Sequence, residues 1–155
     1  MKKEDEVFGM ITFDYTWSRM LEMTFMGERA EIVLLISGDE DGDFEEGQYK
    51  AYNMLMDKWE VICPVLADKV LEYYTDRRCE LGYDEECNES FPEIADADEL
   101  LRHITLTGIK IPHQTERSGR SVGISFDCTW DNENGLGIKL CDEEAIKVGY
   151  QDVAL

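Results

Sequence analysis

Asp39-Glu40-Asp41-Gly42-Asp43 puts carboxylates at i, i+2 and i+4, the spacing with which a calcium loop opens. The rest of such a loop is missing. Its sixth position is Phe44, where a glycine must turn, and its twelfth is Lys50, where a bidentate glutamate belongs. At most weak calcium binding is expected. His103 and His113 have no H-x-x-x-H spacing and no cysteine at ligand spacing, so no zinc site is expected. Asp14 and Asp127 could divide acid and base work between them, as two carboxylates do in glycoside hydrolysis. The alternation around Asp127 places it opposite Phe126 and Trp130, away from the aromatic core, which weighs against catalysis. Trp17 and Trp130 read as core or rim aromatics. Arg117-Ser118-Gly119-Arg120 is a basic turn and a weak anion site at best. A P-loop, a G-x-S-x-G elbow and a G-x-G-x-x-G loop are all missing, since Gly135-Leu136-Gly137 lacks the third glycine. No catalytic residue, no metal ligand and no cofactor are therefore expected.

Charge is the stronger signal. Fifteen Lys and Arg stand against thirty-five Asp and Glu, a formal net charge of −20 over 155 residues. That balance excludes a nucleic-acid binder that works by displacing phosphate counterions, and it disfavours an anionic membrane surface. The charge is concentrated. Residues 39–46 hold Asp39, Glu40, Asp41, Asp43, Glu45 and Glu46 with no base. Residues 80–99 hold nine acids and no base, among them Asp84, Glu85, Glu86 and Glu89. Either segment could be a solvated loop that keeps the chain soluble. Either could also steer a basic partner, gaining on-rate from complementary potential.

The five cysteines, Cys63, Cys79, Cys87, Cys128 and Cys141, are odd in number and form no C-x-x-C. They fit reduced thiols in a reducing compartment. Cys128 and Cys141 lie in apolar strand patterns and read as core, while Cys79 and Cys87 flank an acidic stretch that disfavours a reactive thiolate. No apolar run approaches the roughly 20 residues of a membrane span, and the start lacks the apolar stretch of a signal peptide. A cytoplasmic protein is expected.

These residues need elements to hold them. Residues 7–37 read as a β unit: Ile11, Phe13 and Tyr15 alternate, Leu21, Met23 and Phe25 alternate again, and Met26-Gly27-Glu28-Arg29 turns. The apolar run from Ala30 to Ile36 predicts a strand buried on both faces. Residues 45–78 form a helical block. Tyr49, Tyr52, Met56 and Trp59 share one face, and Ile62, Leu66, Val70, Tyr73 and Tyr74 resume the pattern after Pro64. Because an internal proline costs a hydrogen bond and clashes with the preceding turn, two helices are predicted, near 45–57 and 61–78. Residues 79–99 form an acidic loop, and a short helix near 97–103 starts at Asp96 or Asp98. Residues 104–155 form a second β unit, with a bulge at Gly108, an uninterrupted strand from Val122 to Trp130, a hairpin at Asn134-Gly135 and a short strand over 145–148. Ile11-Thr12-Phe13-Asp14-Tyr15-Thr16-Trp17 parallels Ile124 to Trp130 at an offset of 113, which raises a degenerate duplication. The expected architecture is a single α+β domain, an antiparallel sheet from N- and C-terminal β units with a two-helix block between them.

The C-terminal segment Phe126-Asp127-Cys128-Thr129-Trp130-Asp131-Asn132-Glu133-Asn134-Gly135-Leu136-Gly137-Ile138, with the closing Val148-Gly149-Tyr150-Gln151-Asp152-Val153-Ala154, resembles a bacterial domain-of-unknown-function family. Its members end in a C-x-W-D-x-E-x-G-L-G-V hairpin and a V-G-x-x-D-V-A tail. Gln48-x-x-Ala51-Tyr52 and Leu71-Glu72-Tyr73-Tyr74 follow in the order the resemblance implies. Asn134 stands where the family usually has histidine, a change that suits a turn. The resemblance carries no activity and no catalytic residue. It implies a small cytoplasmic bacterial protein of the kind suspected as immunity proteins beside secreted toxins.

Two further expectations stay open beside an immunity protein that blocks a basic, nuclease-like toxin. One is an adaptor or structural module of unknown ligand. The other is a small metal-dependent enzyme using Asp14, Asp127 or the acidic loop.

Overall fold

The computed structural model describes residues 1–41, 43–114 and 119–154. Eight strands form one sheet in the order of the chain. They are β1 (Lys2–Asp5), β2 (Gly9–Asp14), β3 (Thr16–Phe25), β4 (Glu28–Ile36), β5 (Ile104–Ile111), β6 (Ser121–Cys128), β7 (Leu136–Cys141) and β8 (Glu144–Gly149). Neighbours pair antiparallel within each group of four. The exception is central: β4 and β5 run parallel, with Val33 opposite Gly108 and Ile36 opposite Ile111. A parallel pair cannot be joined by a hairpin and needs a crossover of a dozen residues or more. The sheet is thus α+β in character but not antiparallel throughout.

The crossover is dominated by one long helix, α1 (Glu46–Glu80), 35 residues long and uninterrupted at Pro64. This corrects the predicted pair of helices. Pro64 and Glu60 both lie on the solvent face, so the Glu60 carbonyl that loses its donor is presented to water and carries no buried cost. The buried stripe runs Gln48, Ala51, Leu55, Trp59, Ile62, Leu66, Val70 and Tyr74. The predicted face is rotated from this, with Tyr49, Tyr52 and Met56 half-buried along its flank. The stripe packs on Ile11, Ile32, Leu34, Ile36, Ile109, Ile124, Phe126 and Ile138, all buried to within about 1%. Truncating a side chain such as Leu55 or Leu66 to alanine at such a site costs about 2–5 kcal/mol.

Several local expectations are met. The β5–β6 register shifts between Leu106 and Gly108, Met26 and Gly27 turn with positive φ, and the Asp96 side chain caps the four-residue helix α2 (Ala97–Leu100) by accepting from the Glu99 N–H at 2.9 Å. β1 had no apolar signal. At Asn134-Gly135 the chain makes a longer loop, with the Gly135 N–H donating to the Asp131 carbonyl at 3.1 Å. The F-D-x-T-W stretches also land differently. Tyr15, at φ 65°, reverses the chain between Phe13 and Trp17, whereas β6 runs straight to Cys128 and Trp130 lies beyond it. Even so, the similarity maps β2 on β6 and β3 on β7, the second and third strands of two four-stranded meanders.

Among the described residues, no helix is long and apolar enough to cross a membrane.

Candidate functional site

The first acidic segment leads into the N-terminus of α1 and is fastened at Asp39, Phe44, Glu45 and Glu46. The Trp17 indole donates to the Asp39 carbonyl at 2.8 Å, and Phe44 meets Phe8 edge-on at 5.2 Å. Glu45 closes the segment. Its N–H donates to Gln48 Oε1 at 3.0 Å. Its Oε1 accepts the Gln114 N–H at 3.0 Å and lies 3.1 Å from His113 Nδ1. Glu46 reaches Lys50 at 3.6 Å. Asp39, Glu40, Asp41 and Asp43 are exposed, and Gly42 of the calcium-like pattern lies outside the described residues. Among the described residues no cluster of potential metal ligands is found.

Gln48 is the residue on which this end rests. Fully buried, it donates from Nε2 to the Ser37 carbonyl at 2.7 Å and toward the Ile111 carbonyl at 3.4 Å. It thus fastens the helix start to the ends of the parallel pair β4 and β5. The aromatic neighbour Tyr49 donates to Asp5 Oδ2 at 2.8 Å. Burial, then that bond to a carboxylate, pushes Tyr49 up to about 12. Burial alone would raise Asp5 as well. The N–H groups of Phe8 and Val7, the Tyr49 hydroxyl and Lys3 outweigh it and hold Asp5 below the ordinary range.

The second acidic segment follows the C-terminus of α1. Its backbone is fixed by cations and aromatics. Arg78 donates to the carbonyls of Phe91 at 2.9 Å and Tyr83 at 2.8 Å. Tyr74 donates to the Pro92 carbonyl at 2.6 Å, packs 4.4 Å from Trp130, and is pushed up to about 12 by burial. The side chains of Asp84, Glu85, Glu86 and Glu89 are all exposed. Asp84 accepts a thiol contact from Cys79 at 3.3 Å, which raises the Cys79 thiol, and Glu85, Glu86 and Glu89 have no ion-pair partner among the described residues.

These two segments do not meet. They cap opposite ends of a 35-residue helix, which at about 1.5 Å per residue is about 50 Å long. A Debye length of about 8 Å at physiological salt makes them separate fields. Asp14 and Asp127 are separated as well, on strands four positions apart in the sheet, which at about 4.8 Å per strand is about 19 Å. Two carboxylates working on one glycosidic bond lie within about 10 Å of each other.

Arg120 is not an open anion site. Its guanidinium is saturated by Glu143, through Nε at 2.9 Å and Nη2 at 2.8 Å, while Arg117 and Ser118 lie outside the described residues. No disulfide joins the five cysteines. Burial pushes Cys63 and Cys128 up to about 11. Cys141 is only half-buried and shares the outer sheet face with Gly137 and Lys139, so it is not the core residue its pattern suggested.

The C-terminal residues quoted for the resemblance seat the chain's own tail. Gln151 to Ala154 form a single 3-10 turn on the sheet face opposite α1. A Cβ at Gly123 would strike the Ala154 carbonyl, and one at Gly137 would come within 2.5 Å of the Tyr150 carbonyl. The Gln151 amide donates to the Phe126 carbonyl at 2.9 Å and its backbone N–H to the Asn134 carbonyl at 2.9 Å. Glycine is needed there because the backbones touch. The sequence marks Gly137, Tyr150, Gln151 and Ala154 as part of a motif, but neither Gly123 nor the role of these positions as a seat.

No curated protein and no solved structure matches the chain. One family profile does, over residues 7–155, and the chain therefore belongs to the family described as a domain of unknown function, DUF6985.

Proposed function

We propose that this chain is a non-enzymatic protein-binding domain that acts as a cytoplasmic immunity protein, capturing a basic, nuclease-like toxin domain through the acidic segment at the C-terminal end of α1. One observation carries the reading. Asp84, Glu85, Glu86 and Glu89 are exposed on a backbone held by Arg78 and Tyr74, just beyond the C-terminal end of α1. A rigidly mounted carboxylate patch resembles a run of phosphates to a basic surface and speeds its approach.

The test is stopped-flow association with purified basic nuclease-type toxin domains, beginning with any encoded beside this chain. The expected result is stoichiometric binding that blocks nucleic-acid cleavage. Neutralising the patch as D84N/E85Q/E86Q/E89Q should slow association by about tenfold and leave dissociation nearly unchanged. Association as fast as wild type would overturn the assigned surface. Binding that leaves cleavage intact would make the chain an adaptor.

A further inference from the structure

The outer face of the sheet, away from α1, carries a feature unrelated to the acidic ends. Strand register aligns Leu35, Lys110, Gly123, Lys139 and Lys147 in one row across β4 to β8. Lys139 and Lys147 sit directly opposite each other, an arrangement that disfavours the sheet. In a chain of net charge −20, none of these three lysines has an ion-pair partner among the described residues. Arg29, Lys50, Lys58, Lys69, Arg77 and Arg120 do, and Lys2, Arg19, Arg78 and Arg102 do not.

Beside Lys110 the face is concave. A cleft of about 370 Å³ opens over Gly108 and Gly123, walled by Val33 and Leu35 on one side and by the tail at Gln151 and Ala154 on the other. Two hydroxyls line it, with Thr107 Oγ1 donating to Ser125 Oγ at 3.2 Å. The volume lies in the range of small-molecule sites, which combine apolar walls with a few convergent polar groups. Val33 and Leu35 belong to the apolar run whose pattern predicts burial on both faces, yet on this face nothing among the described residues fully covers them. The cleft is also polarised. Lys110 marks one end, and Asp127 the other, four residues beyond Gly123 on β6 and so about 13 Å away.

We propose that this cleft binds a small organic anion, with its apolar body on Val33 and Leu35 and its phosphate or carboxylate head on Lys110. Lys139 and Lys147 lie about 10 and 14 Å from Lys110 along the row, on the far side of the tail that seats Ala154 on Gly123, and add to the positive field at the Lys110 end without lining the cleft. Asp127 repels the head from the far end and sets the orientation. This site is independent of the toxin-binding reading.

The test titrates ¹⁵N-labelled full chain with phenyl phosphate, benzoate and inorganic phosphate at about 0.15 M salt, where the distant acidic ends are screened. Phenyl phosphate is expected to shift the amides of Gly108, Lys110, Gly123 and Ser125, and to bind at least about tenfold more tightly than inorganic phosphate. Benzoate matching phenyl phosphate would make the natural head a carboxylate, and weaker benzoate binding would make it a phosphate. K110M should weaken phenyl phosphate binding about tenfold or more, K147M less, and L35N should weaken phenyl phosphate without changing inorganic phosphate. Spectra of each variant away from the cleft report that it is folded. No shift at those amides with any probe at about 10 mM, or shifts indifferent to K110M and K147M alike, would overturn the site.

Discussion

The two ends of α1 are both acidic and are built on opposite principles. At the N-terminal end two of the acids, Glu45 and Glu46, serve the fold, while Asp39, Glu40, Asp41 and Asp43 are exposed. Glu45 joins the helix start to His113 and Gln114, Glu46 meets Lys50, and negative charge there complements the helix dipole. At the C-terminal end Arg78 holds the backbone while Glu85, Glu86 and Glu89 are exposed without an ion-pair partner among the described residues. A charge count treats the two segments as one acidic character. Their hydrogen bonds separate them into a structural end and an end available to a partner.

The largest way to break that contrast is at Gln48. Gln48→Leu removes a fully buried amide and leaves the half-buried Ser37 carbonyl and the Glu45 N–H without their partners. At about 1–3 kcal/mol for each orphan the cost should be about 2–5 kcal/mol, a fall in Tm of about 5–15 °C by calorimetry. The counterpart, Arg78→Met, replaces a side chain that is only half-buried, as are its carbonyl partners at Phe91 and Tyr83, and its cost should stay near about 1 kcal/mol. Equal losses would mean that the ends are not built differently. Between them, Pro64→Ala restores a donor to Glu60 on the solvent face and should raise stability by about 1–3 kcal/mol. A fall in Tm would show that the proline is needed to curve the helix over the sheet.

Charge gives a smaller effect of opposite sign at the two ends. E45Q/E46Q should lower Tm by a few degrees at low salt, and D84N/E85Q/E86Q/E89Q should leave it unchanged or raise it, since a charge near a helix end is worth about 0.3–1 kcal/mol. Salt of about 1 M should erase the C-terminal gain. The N-terminal loss should survive it, because the Gln114 N–H bond to Glu45 is not a screened long-range pair. Two variants moving in the same direction would remove the asymmetry.

Much of the sheet was legible because alternation and turn chemistry are local. The bulge at Gly108, the Met26-Gly27 turn, the Asp96 cap and the strand through Val122, Ile124 and Phe126 all follow from near neighbours. What failed depends on the other side of an element. Pro64 breaks a helix only where its lost bond is buried, and sequence does not say which face it takes. The parallel pairing of β4 with β5 is a long-range choice with no local mark. The acidic residues were legible as composition. Their division into anchored and free required Trp17, Phe44, His113 and Arg78, whose partners lie far away in the chain or in the backbone. The lysine row is invisible in the sequence because Lys110, Lys139 and Lys147 come together only through register.

The smallest effects come from pH, and they distinguish the ends by direction. Asp5, held below its ordinary 3.8, stabilises the N-terminal end at every pH above that value, and the contribution is lost as pH falls through the folded value. Tyr49 and Tyr74, each pushed up to about 12 from 10, stabilise their respective ends below pH 10 and lose that contribution as pH rises toward about 12. Acid should therefore loosen one end, and alkali both. Amide exchange reads this residue by residue, because the Val7 and Phe8 N–H groups are bonded to Asp5 at 2.9 Å and the segment around Phe91 is held by Tyr74 and Arg78. Between about pH 6 and about pH 3 protection at Val7 and Phe8 should fall while that near Phe91 holds. The stability difference between wild type and Asp5→Asn should be full at neutral pH and shrink below about 3.8. A difference that widened in acid would reverse the sign assigned to Asp5. Loss of protection near Phe91 in acid would mean that free carboxylates, not Arg78 and Tyr74, hold the C-terminal end, and with that the distinction between an anchored and an available acidic surface would fall.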